Sequence, residues 1–270
     1  MGESSEAATA VYTVEATTTP SPAEVGRAAA LAVTIKKSGA PVTTFSPLHG
    51  ADLHFIAISS DLSEIVHTHP VLGTAGQFSD TVTFNNAQPY AVFGEFIPGG
   101  TTAEKVARAT LSPLHAVTAT PVLTAPYDGS AAKTITVDST KVVVAAAPSG
   151  MVMPSMATHL SISIQTLAGA PVTDLEDWLG MPAHAIFVSK DLATFIHAHG
   201  MPDMGGGSSS GGHTGHGGHM SDAGGMGDAG AVSGALGVDV TFPSSGLYKV
   251  FFQFQRSGAI VTAPMAISVM

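Results

Sequence analysis

Residues 39–69 and 169–199 carry one pattern twice, at a constant offset of 130, with 13 identities in 31 positions and no gap. A long unit that occurs twice restricts the chain to two copies of one domain. It excludes a solenoid, whose shorter units recur more often. The shared positions include Gly39-Ala40-Pro41-Val42-Thr43 and Gly169-Ala170-Pro171-Val172-Thr173, together with Asp61-Leu62 and Asp191-Leu192. They also include three histidines per copy at the spacing His-x12-His-x-His: His54, His67 and His69, then His184, His197 and His199. Upstream, residues 31–35 match 160–164 at an offset of 129; downstream, residues 84–96 match 242–254 at 158, so the second copy has gained 28 residues just after its His-x-His. The 270 residues suit two domains of ordinary size. The predicted layout is a first domain over 8–115, a Pro-rich linker over 116–129, and a second domain over 130–270 with an insertion at about 200–231.

Each copy reads as strands. Apolar and polar residues alternate in short runs over 11–14, 31–35, 53–58, 65–69, 78–84, 90–96 and 106–111, with Gly, Pro, Asn and Ser between them. The second copy repeats this over 134–137, 142–146, 160–164, 183–188, 195–199, 236–242, 248–254 and 260–269. About seven short strands per copy predict an all-β chain of two tandem immunoglobulin-like or cupredoxin-like β-sandwiches, with helix minor.

Histidines at i and i+2 of a strand project to one side, so His67 and His69 share a face, as do His197 and His199. If residues 59–62 form the turn, the pairing places His54 opposite His67 and diagonal to His69, with Asp52 across from His69. Opposite and diagonal Cβ atoms lie about 5 and 7 Å apart, within reach of one ion bound by three imidazoles. Ile56, Ile58 and Ile65 share the face, as do Ile186, Val188 and Phe195, which predicts that each triad faces the core at the mouth of its sandwich. The plainer reading is a set of core-edge histidines bonded to backbone. A lone histidine would favour it; a duplicated triad favours a metal site.

The copies differ around the triads. The first has His49 and Asp52 nearby, where the second has Leu179 and Pro182. Apart from Met1, every methionine falls between Met151 and Met270. Met181 precedes His184, and Met201 and Met204 follow His199; Met151, Met153 and Met156 lead into the strand bearing His159, while Met265 and Met270 read as core fillers. The insertion adds His213, His216, His219, Met220 and Met226 in a Gly/Ser-rich context that predicts a loose segment able to capture ions, or a plain solvated linker. Thioethers select Cu(I) and imidazole suits both copper states, so copper is expected in the second domain, with zinc possible in the first.

Cysteine is absent, which removes disulfides, thiolate sites and blue copper. A net charge of −10 argues against a nucleic-acid partner, which needs Lys and Arg. No apolar run reaches the length of a membrane span. The opening MGESSEAATA lacks a basic and an apolar export region and is expected to be the start of a mature periplasmic or extracellular protein whose signal peptide has gone. No catalytic residues stand out: Asp52 is not repeated, Glu95 becomes Gln253, and neither a Ser-His-Asp order nor a phosphate loop is visible.

The His-x12-His-x-His core encloses Ser59-Ser60-Asp61-Leu62 and Ser189-Lys190-Asp191-Leu192, and a YxVFxxF strand follows. With these features the chain resembles bacterial exported immunoglobulin-like modules whose histidines are suspected metal ligands, often in a copper context. The first copy keeps the His-x-His-Pro ending as His67-Thr68-His69-Pro70; the second has Gly200 there. The expected function is non-enzymatic copper binding outside the cytoplasm, for sequestration, delivery or resistance, with another copper-handling protein as partner. The alternatives are a copper-dependent oxidoreductase using a three-histidine site, and a scaffold or adhesion protein stiffened by metal.

Overall fold

A computed structural model describes residues 11–113, 120–123, 125–147, 149–203 and 233–270. They form two compact units, one of residues up to 60 and from 64 to 113, the other of residues 61–63 and those from 120 onward. The only helical segment among the described residues is the 3₁₀ turn Thr74–Gly76.

The first unit contains β1 (Tyr12–Thr19), β2 (Ala28–Lys37), β3 (Ala40–Pro41), β4 (Phe45–Ser46), β5 (His54–Ser59), β6 (Ile65–Thr68), β7 (Val71–Leu72), β8 (Gln77–Thr83), β9 (Tyr90–Pro98) and β10 (Lys105–Leu111). One sheet runs β1-β2-β8-β7 with β3 beside β2, the other β10-β9-β5-β6 with β4 beside β9. This is the A-B-E-D against G-F-C-C′ order of an immunoglobulin-like sandwich. The alternation of β2 turns Leu31, Val33 and Ile35 inward. They meet Phe55 and Ala57 of β5, Val92 and Phe96 of β9, and Phe78 of β8 in one core.

In the second unit lie β11 (Lys133–Val137), β12 (Thr140–Ala147), β13 (Ala157–Thr166), β14 (Leu175–Glu176), β15 (Ala183–Ser189), β16 (Phe195–Pro202), β17 (Ala235–Thr241), β18 (Gly246–Arg256) and β19 (Ala259–Val269). Strands β12, β13 and β17 repeat β1, β2 and β8, while β15, β18 and β19 repeat β5, β9 and β10. Strand β11 is an addition, forming a hairpin with β12. Tyr127, which falls in the stretch expected as linker, is 3% exposed: its N–H donates to the Ala266 carbonyl, and its hydroxyl accepts the Ala146 N–H. The second sandwich thus begins before the predicted linker ends.

Each sandwich carries a tyrosine at the start of its F-like strand that ties back to backbone four residues upstream. Tyr248 donates to the Ser244 carbonyl at 2.9 Å. The Tyr90 hydroxyl donates to Glu64, lies 3.3 Å from the Asn86 carbonyl and accepts the Asn86 N–H. Such a tyrosine corner is a mark of this sandwich class.

The copies diverge where the triads end. In the first, β6 stops at Thr68, Pro70 cannot donate to a ladder, and β7 starts afresh against β8. In the second, Gly200 replaces the proline and β16 runs through, pairing with β15 up to Gly200 and with β17 from Met201. A Cβ on Gly200 would lie 2.9 Å from that of Ala183, so the close pairing there requires glycine. The insertion follows at once. Met204, His213, His216, His219, Met220 and Met226 lie outside the described residues.

Candidate metal centre

The histidines are placed by a turn that lies one residue further along than the sequence suggests. Ser59 N–H donates to the Glu64 carbonyl, leaving residues 60–63 as the loop, with Leu62 at a φ of 60°. The Asp61 carboxylate accepts the Ser63 N–H, and Ser59 Oγ accepts the Glu64 N–H. The second copy repeats this with Asp191 and Ala193 N–H, Ser189 and Thr194 N–H, and Leu192 at 61°. These side-chain bonds close the four-residue loop one residue later than expected. Pairing therefore shifts by two residues from the expected register. Ile56 faces His67 and Phe55 faces Thr68, which continues to His54 facing His69; in the second copy His184 faces His199 directly. His54 is thus diagonal to His67. Asp52, half-buried ahead of β5, is no longer across from His69 and stands outside the group the triad forms.

The expectation that the triads face the core is overturned. Leu53, Phe55 and Ala57, like Ala183, Ala185 and Phe187, belong to the inter-sheet cores, while the alternate residues, His54, Ile56 and Ile58 or His184, Ile186 and Val188, do not. Each triad sits on the outer face of the sheet that contains β5 or β15. Both faces of β5 are apolar, so alternation could not tell them apart.

His54 is fully buried, His67 is 9% exposed and His69 is half-buried. One ligand nitrogen from each lies within 4.8 Å of the others, a spacing a single ion can draw together. His54 Nε2 is 2.8 Å from the Leu48 carbonyl, which can only accept, so Nε2 carries the proton and donates. Burial lowers the His54 pKa to about 4, against the raising effect of the Leu48 bond and with a further lowering by His49, so the ring is neutral near pH 7. The lone pair is then on Nδ1. There it accepts a hydrogen bond from His69 Nε2 at 2.9 Å.

The Leu48 carbonyl belongs to a tight turn. Leu48 and Ala51 exchange both backbone bonds, and His49 and Gly50 have φ of 49° and 84°. Two consecutive positive φ values make a type I′ turn, which favours glycine at its second position. Trp178 and Met181 form the same bridge across Leu179 (53°) and Gly180 (82°). The Trp178 carbonyl accepts from His184 Nε2 at 2.9 Å, and His184 Nδ1 lies 3.0 Å from His197 Nε2. A backbone carbonyl that fixes the tautomer and aim of a ligand histidine is the usual outer support of a metal site. The sequence reading missed this turn, although Gly50 and Gly180 stand at the repeat offset, four residues before each first histidine.

In the second triad the ring centroids lie 5.3 Å (His184–His197), 5.1 Å (His184–His199) and 4.6 Å (His197–His199) apart. Trp178, the chain's one tryptophan, stands edge-on to His184 at 5.2 Å. Of the sulfur candidates, Met181 contributes its backbone to the turn, and Met201 is 52% exposed on β16. Met151, Met153 and Met156 are exposed as well. Met265 is buried as expected. Met270, read from sequence as a core residue, is 49% exposed, because its N–H caps the sheet end at the Val152 carbonyl while its side chain points away.

Two carboxyls missed as a pair stand beside the first triad. Glu95 of β9 is directly opposite His54 and 4% exposed. Burial pushes its pKa up to about 7, against a hydrogen bond from Glu104. Glu104 is raised to about 7 as well, by burial of its carboxyl and then by Glu95. His49 lies 6.3 Å from His54 between ring centroids, and burial lowers its pKa against the opposing effect of Glu104. Glu95 could have been found as a polar residue in the otherwise apolar strand β9, whereas Glu104 lies outside any strand and carries no such signal.

No helix among the described residues is long and apolar enough to cross a membrane. No curated protein matches the chain. Among solved structures, the crystal structure of invasin, a bacterial integrin-binding protein, aligns over 96% of this chain and 40% of that one, at 11% identity and a TM-score of 0.22. This chain therefore spans less than half of invasin's length. A family described as Domain of unknown function (DUF8832) matches residues 7–111 and again 135–270. The chain belongs to that family and carries its domain twice.

Proposed function

We propose that the protein binds metal ions, copper foremost, through one histidine triad in each sandwich, and acts outside the cytoplasm in sequestration, delivery or resistance rather than as an enzyme. The observation that carries this reading is the approach of His54, His67 and His69 to within 4.8 Å, with the first ring oriented by a backbone carbonyl in both copies. Three neutral imidazoles hold copper in either state or zinc. A net charge of −10 favours cation capture, and the exposed Met201 beside the second triad offers a thioether suited to Cu(I). Partners would be the ion itself and another copper-handling protein.

The test is metal analysis of the full chain purified without added metal, followed by Cu(I) exchange with a chelator. A carrier releases and retakes Cu(I), and loses most affinity for one equivalent when His197 and His199 become alanine. Turnover of a reductant with oxygen above the rate of free copper would favour the oxidoreductase. A rise in melting temperature with zinc equal to that with copper would favour the stiffened scaffold.

A further inference from the structure

Apart from Met1, every sulfur atom of the chain lies beyond residue 150, and three sulfur-bearing side chains stand on one edge of the second sandwich. Val152 and Val269 form a parallel bridge, in which the Met270 N–H donates to the Val152 carbonyl at 2.9 Å. Both valines are buried and belong to the inter-sheet core. Side chains alternate along extended backbone, so their neighbours Met151, Met153 and Met270 turn to the opposite, outer side. These are 64%, 40% and 49% exposed and do not fill the core. Parallel pairing sets Met153 beside Met270 with backbones about 5 Å apart, and Met151 two residues along the same edge, about 7 Å from Met153.

This edge is remote from the second triad. Val269 pairs with Gly246, seven residues along β18 from Gln253, the partner of His184. At the rise of a strand that separation is about 23 Å. The first copy has no counterpart. At the offset of 129, Met151 and Met153 fall on Pro22 and Glu24, with the buried Ala23 in the place of Val152; at 158, Met270 falls on Ser112. The sandwich therefore does not require a thioether at any of the three positions.

We propose that Met151, Met153 and Met270 form a thioether site for a soft monovalent cation, Cu(I) or Ag(I), separate from the triads. Thioether sulfur is a soft, neutral donor that favours Cu(I) over the harder divalent ions. Methionine is unbranched with three rotatable bonds, so sulfurs carried on this edge can converge on one ion without moving the backbone. The site stands independently of metal binding by the histidines.

The test uses the full chain isotopically labelled at its methionine methyl groups, with signals assigned from single Met→Leu variants and followed by NMR as Ag(I), a redox-stable soft cation, is added. The methyl signals of Met151, Met153 and Met270 should shift together with one shared midpoint. Met151→Leu, Met153→Leu and Met270→Leu combined keep the apolar bulk at exposed positions and should remove one Ag(I) equivalent. The signal of the buried Met265, left in place, reports that the sandwich is intact. A thioether has no proton to lose, so the shared midpoint should move less than about twofold between pH 7 and 5, whereas imidazole ligation weakens as its nitrogen protonates. Signals that stay in place or titrate with separate midpoints, or a triple variant that keeps the wild-type Ag(I) count, would overturn the proposal. If His67→Ala with His69→Ala and His197→Ala with His199→Ala leave metal binding unchanged while the three methyl signals still shift, the triad reading falls and the sulfur site stands.

Discussion

The two sandwiches apply the same device to different surroundings. In each, a type I′ turn presents a carbonyl, Leu48 or Trp178, that takes the Nε2 proton of the first histidine and leaves Nδ1 toward its neighbours. In the first copy Nδ1 meets His69, the residue opposite; in the second it meets His197, the diagonal one. The first triad has a buried carboxyl, Glu95, hydrogen-bonded to the exposed Glu104 beside it, the second a tryptophan edge and a glutamine. Duplication has kept the orientation of the lead histidine and varied the charge around it. Charge, rather than the count of imidazoles, is therefore where the two sites are expected to part company.

The largest effect should come from the lead histidine. His54→Ala removes a fully buried ring and leaves the Leu48 carbonyl without its side-chain donor. A loss of about 2–4 kcal/mol is expected from cavity and lost bond together, read by chemical denaturation. His69→Ala, half-buried, should cost about 1 kcal/mol or less while impairing metal binding as severely. Equal stability losses would erase the distinction between a ligand that also supports the fold and one that does not.

Next in size is the point where the copies diverge in path. Gly200→Pro gives the second copy the first copy's residue, interrupts the β16 ladder and crowds Ala183, and should cost about 3 kcal/mol. A Cβ at Gly50 meets no atom within 4 Å, so Gly50→Ala is expected to cost only what the positive φ costs, about 1 kcal/mol, and Gly180→Ala, at a φ of 82°, should match it if the two turns are equivalent. A much larger cost at one turn than at the other would show that the turns are not equivalent.

The pH dependence sharpens the comparison further. Glu95 and Glu104 have folded pKa values raised to about 7, so the folded state holds more protons than the unfolded, and stability from this pair falls as pH rises from about 4.5 through 7. His54 acts in the opposite direction: its folded pKa is depressed to about 4, so its contribution is full above about 6.5 and is lost as pH falls through that window. In metal-free protein Glu95→Gln should therefore become progressively more stable relative to wild type between pH 5 and 8, followed by urea melts. The second copy, with Gln253, should lack this slope. The smallest effect is expected at Asp239, whose exposed carboxylate bonds His159 Nδ1 at 2.8 Å: Asp239→Asn should change stability by less than about 1 kcal/mol.

Much of this was legible in the sequence. The offset of 130 gave the tandem sandwiches, the strands fell where alternation placed them, and the spacing brought His54, His67 and His69 together. The register was missed because Asp61 and Ser59 bind the loop backbone with their side chains, which a count of turn residues does not register. The face was missed because β5 is apolar on both sides, so its period of two carries no direction. Tyr127 looked like linker because its role, a hydroxyl reaching Ala146 and backbone bonds to β19, depends on partners distant in sequence. Glu95 and Glu104 became a pair only once β9 and the residues before β10 were brought together.

Trp178 makes the central claim directly measurable, because the chain's one tryptophan stands against the second triad. Cu(II) titration of the full chain, followed by tryptophan fluorescence alongside bound copper, separates the two sites in one experiment. Quenching should saturate with one copper equivalent, be lost in His197→Ala with His199→Ala, and survive in His67→Ala with His69→Ala, which instead should bind one equivalent fewer without altering the quenching curve. Unchanged copper binding in both double variants would contradict that claim.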